Sequence, residues 1–347
     1  MVRRDLKAGQ SSSLFPIVDI GPLFAADAGA RQATDRALFD AARDCGFLGI
    51  NGLPAAVPLG AAARDRLLAI FALDEAEKRR LYRRKFAPEN RNVYRGWFPV
   101  QPGNLTSKEG IDLGGDVVHP PQAGASTDPL LEPTPLPDER RLPGWHAAIS
   151  AYYVAMESIA AVLMRSLARS LALPNDYFDG SFRCGLSTLR LIRYPPRAAA
   201  ELAGMTDPDV WVESSCGRRH LAGAPHTDSG FLTLLAQDGV AGLQARCADG
   251  SWLDVPPVEG TLIVNFGQVL EQWSGGRIRA TEHRVLGSTL QRYSIPFFYE
   301  ARADATIAPL PSDPADAFIP FQYGDFLWQR MLSFVEFRGM ESLRSGR

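Results

Sequence analysis

From residue 184 onward the chain is written in short apolar runs cut by turns, and this texture constrains its fold more than any other feature. The runs "LSTLRLIRYP", "GFLTLLAQD", "GLQARCADGSWLDV", "GTLIVNFG", "ATEHRVLG" and "RYSIPFFYE" follow one another between residues 186 and 300. Strands this short and closely spaced predict a sandwich or barrel. Within the third run, Asp249-Gly250 predicts a tight primed hairpin turn, which needs positive φ.

The first half reads mainly helical. Residues 34–50 and 61–82 carry apolar residues at helical spacing, and 149–173 reads as a long buried helix. Glu157, Arg165 and Arg169 interrupt that last segment too often for a bilayer span of about 20 residues. Residues 83–114 are aromatic and turn-rich, and 119–145 are proline-rich without periodicity. Such stretches serve as lids and binding loops or as plain surface excursions. Residues 324–337 predict an amphipathic helix packing back on the body. No repeat or linker divides the 347 residues, and 46% hydrophobic content fills a large core. One domain over 1–347 is expected, with a mainly helical part at 1–183, a β core at 184–302 and a helix-bearing segment at 303–347.

A net charge of −2, from 37 basic and 39 acidic residues, gives no global field for nucleic acid or an anionic membrane. Cys45, Cys184, Cys216 and Cys247 contain no CxxC, which argues against a zinc ribbon or disulfide framework. They read as reduced thiols. The basic start "MVRRDLKAGQSSSLF" has no apolar stretch behind it, so a cytoplasmic location is expected.

Chemistry enters at "PHTDSGFLTLL", residues 225–235. Read as one strand, it puts His226 and Asp228 at i and i+2 on one face, able to hold one ion. The pair alone is weak, because a polar turn leading into a core strand would look the same. His283, 55 residues past Asp228 in "ATEHRVL", supplies a third donor on another strand. Two histidines and one carboxylate on one face of an octahedron leave open positions, as in non-haem Fe(II) oxygenases. Nine residues later, "RYS" offers Arg292 and Ser294 on one strand face. A guanidinium there can clamp a carboxylate through paired charge-assisted hydrogen bonds. The plainer alternatives are a half-buried strand histidine at 283 and a structural ion pair at Arg292. His119, His146 and His220 have no matching partner and are expected to face solvent.

The succession of HxD, His-Arg-Val and Arg-x-Ser resembles the isopenicillin N synthase-like group of Fe(II)/2-oxoglutarate-dependent oxygenases. "FPIVDIGPLF", "CGFLGING", "LRLIRYPP", "GLQ", "NFG" and "RYSIPFFYE" extend the likeness over most of the chain. The resemblance implies a mainly β fold with flanking helices, built on a double-stranded β-helix of the jelly-roll or cupin type. It implies iron on His226, Asp228 and His283, with Arg292, Ser294 and Tyr194 holding 2-oxoglutarate. With O2, such a site oxidises a C–H bond of a small molecule by hydroxylation, desaturation or ring closure, releasing succinate and CO2. Tyr94, Arg95, Trp97, Phe98 and Phe298 would line the substrate pocket or simply cover the barrel. A monomer is the family-typical expectation. Two positions depart from the pattern: Ile192 stands where members often carry asparagine, and Asn51-Gly52 where they carry Asn-His-Gly. Two other readings fit the same residues, a 2-oxoglutarate-independent oxidase of the isopenicillin N synthase type and a non-catalytic sensor.

Overall fold

A computed structural model of the chain describes residues 15–101, 106–119, 127–214, 217–334 and 337–344. Cys216 and the chain start through residue 14 lie outside the described residues. The strands in chain order are β1 (Ile17–Asp19), β2 (Phe47–Asn51), β3 (Gly96–Phe98), β4 (Glu109–Leu113), β5 (Thr188–Tyr194), β6 (Trp211–Ser214) and β7 (Gly217–His226). There follow β8 (Leu232–Gln237), β9 (Leu243–Arg246), β10 (Trp252–Asp254), β11 (Leu262–Phe266), β12 (His283–Leu286), β13 (Arg292–Tyr299), β14 (Thr306–Ile307) and β15 (Phe321–Gln322).

Eight strands form a major sheet ordered β1-β2-β11-β8-β13-β5-β4-β3, and five form a minor sheet ordered β10-β9-β12-β7-β6. All pairings in the two are antiparallel except β1 with β2. The sheets face each other across an apolar layer to which both contribute: Phe47, Ile192, Leu235 and Ile263 from the major sheet, Ala222, Leu243, Ala245 and Val285 from the minor. This is the expected double-stranded β-helix.

Strand alternation then sorts β13 into two rows. Arg292, Ser294, Pro296 and Phe298 line a cleft inside the barrel, and Glu300 continues that row. Ile295, Phe297 and Tyr299 belong to the larger core on the other side. There α4 (Trp145–Ser170) lies against the sheet, with Tyr153 edge-on to Phe297 at 4.9 Å between ring centroids. By length and composition α4 is apolar enough to cross a membrane. Its Tyr152, Tyr153, Met156, Ile159 and Leu163 are instead buried in this core.

Three local expectations change. The helix read over 34–50 is α1 (Ala28–Asp44), which ends at Gly46 (φ +63°), and Phe47–Asn51 becomes a central strand. A Cβ at Gly46 would sit 2.3 Å from the Arg279 carbonyl oxygen, so the close approach requires glycine. The helix read over 61–82 breaks into α2 (Ala61–Leu68), a 3-10 turn and α3 (Glu75–Leu81), because Asp74 caps the Glu77 N–H at 2.9 Å and starts a new helix. The turn at 249–250 is not the two-residue primed type. Gly250 alone has positive φ there, and Cys247 bonds both Gly250 and Ser251, which makes a longer loop with a glycine bulge.

Phe297→Ala is expected to lower the unfolding free energy by about 3–5 kcal/mol, since it empties a fully buried site. Denaturant unfolding measures this; a loss below about 1 kcal/mol would mean that the α4 contact does not hold the sheet.

Candidate active site

The antiparallel pairing of β7 with β12 sets His226 directly opposite His283. Their rings lie 4.3 Å apart between centroids, and register shifts along the same pair adjust their aim. His226 is the last residue of β7, not the start of the next strand. Asp228 therefore does not share a strand face with it, as the i, i+2 reading supposed. It lies in the connection to β8, whose backbone is anchored on α7 (Gln268–Trp273): the Gln268 N–H donates to the Asp228 carbonyl at 2.9 Å. From there its Oδ1 reaches within 3.9 Å of His226 Nε2 and 3.8 Å of His283 Nε2. Donor atoms of the three side chains lie within 4.8 Å of one another, the only such metal-competent group among the described residues.

The surroundings fix which atoms face the centre. His226 Nδ1 lies 2.8 Å from the Ala224 carbonyl oxygen and His283 Nδ1 3.2 Å from that of Thr281. A carbonyl only accepts, so each Nδ1 carries the proton and each Nε2 keeps its lone pair for a metal. Asp228 Oδ2 accepts from Thr233 Oγ1 at 2.6 Å and Asn265 Nδ2 at 2.7 Å, leaving Oδ1 to the centre. Burial opposes the Asp228 charge, but the facing imidazoles and these two hydrogen bonds outweigh it and hold the carboxyl below its ordinary range. Burial, and then the neighbouring His283, push His226 down to about 4, so its ring is neutral near pH 7. Two imidazole Nε2 atoms and one carboxylate suit a divalent iron with positions to spare.

Arg292 and Ser294 lie further along the same cleft, both buried. Arg292 Nε donates to the Val240 carbonyl at 3.3 Å and Nη2 to Gln237 Oε1 at 3.4 Å, while Nη1 is buried with no partner. The Tyr194 ring lies under the guanidinium at 5.1 Å, and Tyr194 pairs with Arg292 in the β5–β13 register. A buried guanidinium satisfied only by long bonds to neutral oxygens is incomplete without an anion. A carboxylate of 2-oxoglutarate fits it. Ile192 faces Ser294 across the strands and adds apolar wall there, with no polar side chain to offer.

The cleft holds about 440 Å³. Tyr94, Phe98 and Phe298 line it as expected, but Arg95 does not. Its guanidinium turns behind the wall, where it donates to the Leu186 carbonyl at 3.0 Å and to Thr188 Oγ1. Trp97 is likewise fully buried away from the cleft. His119 faces Glu157 at 2.9 Å, His146 faces Glu139 at 3.2 Å, and His220 is half-buried on β7 against Trp211. None joins the triad, though none is simply solvated.

Sequence reasoning missed several contributors. Thr233 and Asn265 aim Asp228, and both were legible as polar residues facing the barrel interior of otherwise apolar strands. Arg83, Asp112 and Arg190 form a charged wall in which Arg190 grips Asp112 at 2.5 and 2.8 Å. Leu327 and Met331 of α8 (Tyr323–Leu332) help line the cleft, so the C-terminal helix does more than pack on the body. Glu300 also reaches the cleft, pushed up to about 8 chiefly by burial.

A double-stranded β-helix with a two-histidine, one-carboxylate centre and a buried arginine beyond it defines a non-haem iron oxygenase. The family model of the 2OG-Fe(II) oxygenase superfamily matches residues 187–301. A 2-oxoglutarate-Fe(II) type oxidoreductase of Aspergillus fumigatus is 30% identical over 83% of this chain and 82% of its own length. Isopenicillin N synthase of Streptomyces clavuligerus is 28% identical over 93% of this chain and 96% of its own. Among solved structures, a full-length Neurospora crassa protein in complex with alpha-KG and 5-formyluracil superposes with a TM-score of 0.77 at 22% identity, covering 96% of this chain and all of that one. The chain belongs to the 2OG-Fe(II) oxygenase superfamily and is an Fe(II)/2-oxoglutarate-dependent dioxygenase.

Asn265→Ala removes one of the two bonds that orient Asp228 and is expected to weaken Fe(II) binding about 10- to 100-fold. Anaerobic equilibrium dialysis measures it, and unchanged affinity would show that Asp228 does not depend on that bond.

Proposed function

We propose that His226, Asp228 and His283 hold the iron, that Arg292 and Ser294 take the far carboxylate of 2-oxoglutarate beside Tyr194, and that the rest of the cleft receives the organic substrate. The observation that carries this reading is the Arg292 guanidinium, buried at the base of the cleft with Nη1 unsatisfied. When bound, iron and 2-oxoglutarate supply an oxidant from O2 that breaks a C–H bond, and the cosubstrate leaves as succinate and CO2.

The chain's own residues do the rest. The Ala224 and Thr281 carbonyls keep the imidazoles in the metal-binding tautomer, and Thr233 and Asn265 keep Asp228 ionised and aimed. Phe47, Leu235, Leu243 and Val285 present apolar surface around the centre and exclude water from it. Arg292 fixes one end of the cosubstrate, so that its orientation is set before the substrate enters. Tyr94, Phe98 and Phe298 hold the substrate body at the other end.

We read the chain as one domain over 1–347, and one buried cluster that includes residues from Ile20 to Phe337 and draws on both helices and sheet supports this reading. We read it as a monomeric cytoplasmic enzyme without membrane or nucleic-acid partners. The free thiols of Cys45, Cys184 and Cys247 and the near-neutral charge support this.

Anaerobic titration of the Fe(II)-loaded protein with 2-oxoglutarate, followed by the visible charge-transfer band of the chelate, tests the anchor. Arg292→Ala is expected to raise the apparent Kd about thirtyfold or more, because it removes a buried charge partner. Equal affinity in the variant would displace the cosubstrate from Arg292. Oxygen uptake that proceeds without 2-oxoglutarate would favour an oxidase whose substrate occupies that site.

A further inference from the structure

Cys45 and Cys247 take no part in the chemistry above, yet the fold brings both to Thr281, two residues before His283. Cys247 follows the end of β9. The β9–β12 register pairs Ala245 with His283, and the Arg246 N–H donates to the Glu282 carbonyl at 2.8 Å, which carries the pairing one residue beyond β12. One step further in that register, Cys247 falls opposite Thr281. Residues opposite one another in an antiparallel pair direct their side chains to the same face. The face that Thr281 uses is the one where Cys45 lies, because Thr281 Oγ1 donates to the Cys45 carbonyl at 2.6 Å. Cys247 therefore points toward Cys45.

The next layer inward gives the same direction. Ala245 and His283 share that face, and Phe47 meets them there: its ring lies 5.5 Å from the His283 ring, and Phe47 and Ala245 belong to one apolar cluster. Cys45 stands to Phe47 as Cys247 stands to Ala245 and Thr281 to His283, two residues outward in each case. The backbone at Cys45 is also pinned. The Arg279 N–H donates to the Ala42 carbonyl at 3.0 Å, and a Cβ at Gly46 would fall 2.5 Å from Thr281 Oγ1. Burial pushes the Cys45 thiol up, and the Cys247 thiolate then adds more than the adjacent Asp44 does, as two neighbouring sulfurs would. Both thiols are free, with Cys45 exposed and Cys247 partly so, and a small oxidant can reach them.

We propose that Cys45 and Cys247 form a peroxide-sensitive dithiol, which closes as a disulfide between the chain entering β2 of the major sheet and the chain leaving β9 of the minor sheet. One thiolate attacks hydrogen peroxide and breaks its O–O bond, so that the sulfur becomes a sulfenic acid and hydroxide leaves. The second thiolate attacks that sulfur, forms the S–S bond and releases another hydroxide. The protons of the original thiols turn both hydroxides into water. The dithiol is oxidised by two electrons, and the peroxide is reduced by the same two. The bridge closes a long loop and ties both sheets around the segment that leads to His283.

The test uses the full chain loaded with 2-oxoglutarate and Mn(II), which keeps redox-active iron away from the peroxide. After treatment with hydrogen peroxide, a non-reducing digest is expected to contain a Cys45–Cys247 linked peptide, lighter by two hydrogens than the sum of its parts and lost on treatment with dithiothreitol. The melting midpoint of wild type should rise by about 5 °C on oxidation and fall back on reduction. Cys45→Ser and Cys247→Ser should each give no linked peptide and no rise on oxidation, while keeping the Fe(II)/2-oxoglutarate band of wild type. Failure of the linked peptide to form in wild type, or a bridge from either cysteine to Cys184 or Cys216 in its place, overturns the proposal. So does a Cys45–Cys247 bridge that leaves the midpoint unchanged, because it would not tie the sheets.

Discussion

The pairing of β7 with β12 is the constraint on which the site depends. Backbone hydrogen bonds between two strands of the minor sheet set His226 opposite His283, and no loop has to close to bring the two imidazoles together. Asp228 is the contrasting member. It stands on a connection, and its place relies on the N-terminus of α7 for its backbone and on Thr233 and Asn265 for its carboxylate. The three donors are thus rigid to different degrees, and the carboxylate is the one that side-chain hydrogen bonds must hold.

β13 plays a second organising part. Its outer row, with Phe297 and Tyr299, is committed to the helical layer through Tyr153 and Phe182. Its inner row grades from a cationic anchor at Arg292 through Pro296 and Phe298 to a carboxyl at Glu300. One strand therefore places the proposed cosubstrate anchor and the aromatic part of the cleft in register with each other, and the packing that stabilises the sheet also sets the distance between them.

Much of the site was legible because its motifs sit at strand ends, where spacing survives in sequence. β5, β8, β11, β12 and β13 show apolar alternation or continuous apolar runs, and each was read. β7 was not: "GRRHLAGAPH" has only small residues, Ala222, Gly223 and Ala224, where it faces the barrel before His226, and arginines and an exposed proline elsewhere, so nothing in it resembles a strand. That omission shifted Asp228 onto a strand it does not occupy. β4 was hidden for a different reason. Its Glu109 and Asp112 are buried with cationic partners from β5 and α3 or its flank, and a fully buried polar strand reads as a loop. Arg95 shows the limit of inferring direction from type, since its guanidinium serves the Leu186 carbonyl and not the cleft. Contacts made across long sequence separations, such as Glu300 with the Gly230 loop, have no local signature at all.

The central claim is that one cleft holds iron on His226, Asp228 and His283 with 2-oxoglutarate reaching back to Arg292. The most direct measurement is a crystal structure of the anaerobic Fe(II)/2-oxoglutarate complex. The account predicts one iron bound by both Nε2 atoms and by Asp228 Oδ1, and a cosubstrate carboxylate on Arg292 Nη1. Iron bound elsewhere, or a cosubstrate whose far carboxylate avoids Arg292, would contradict it.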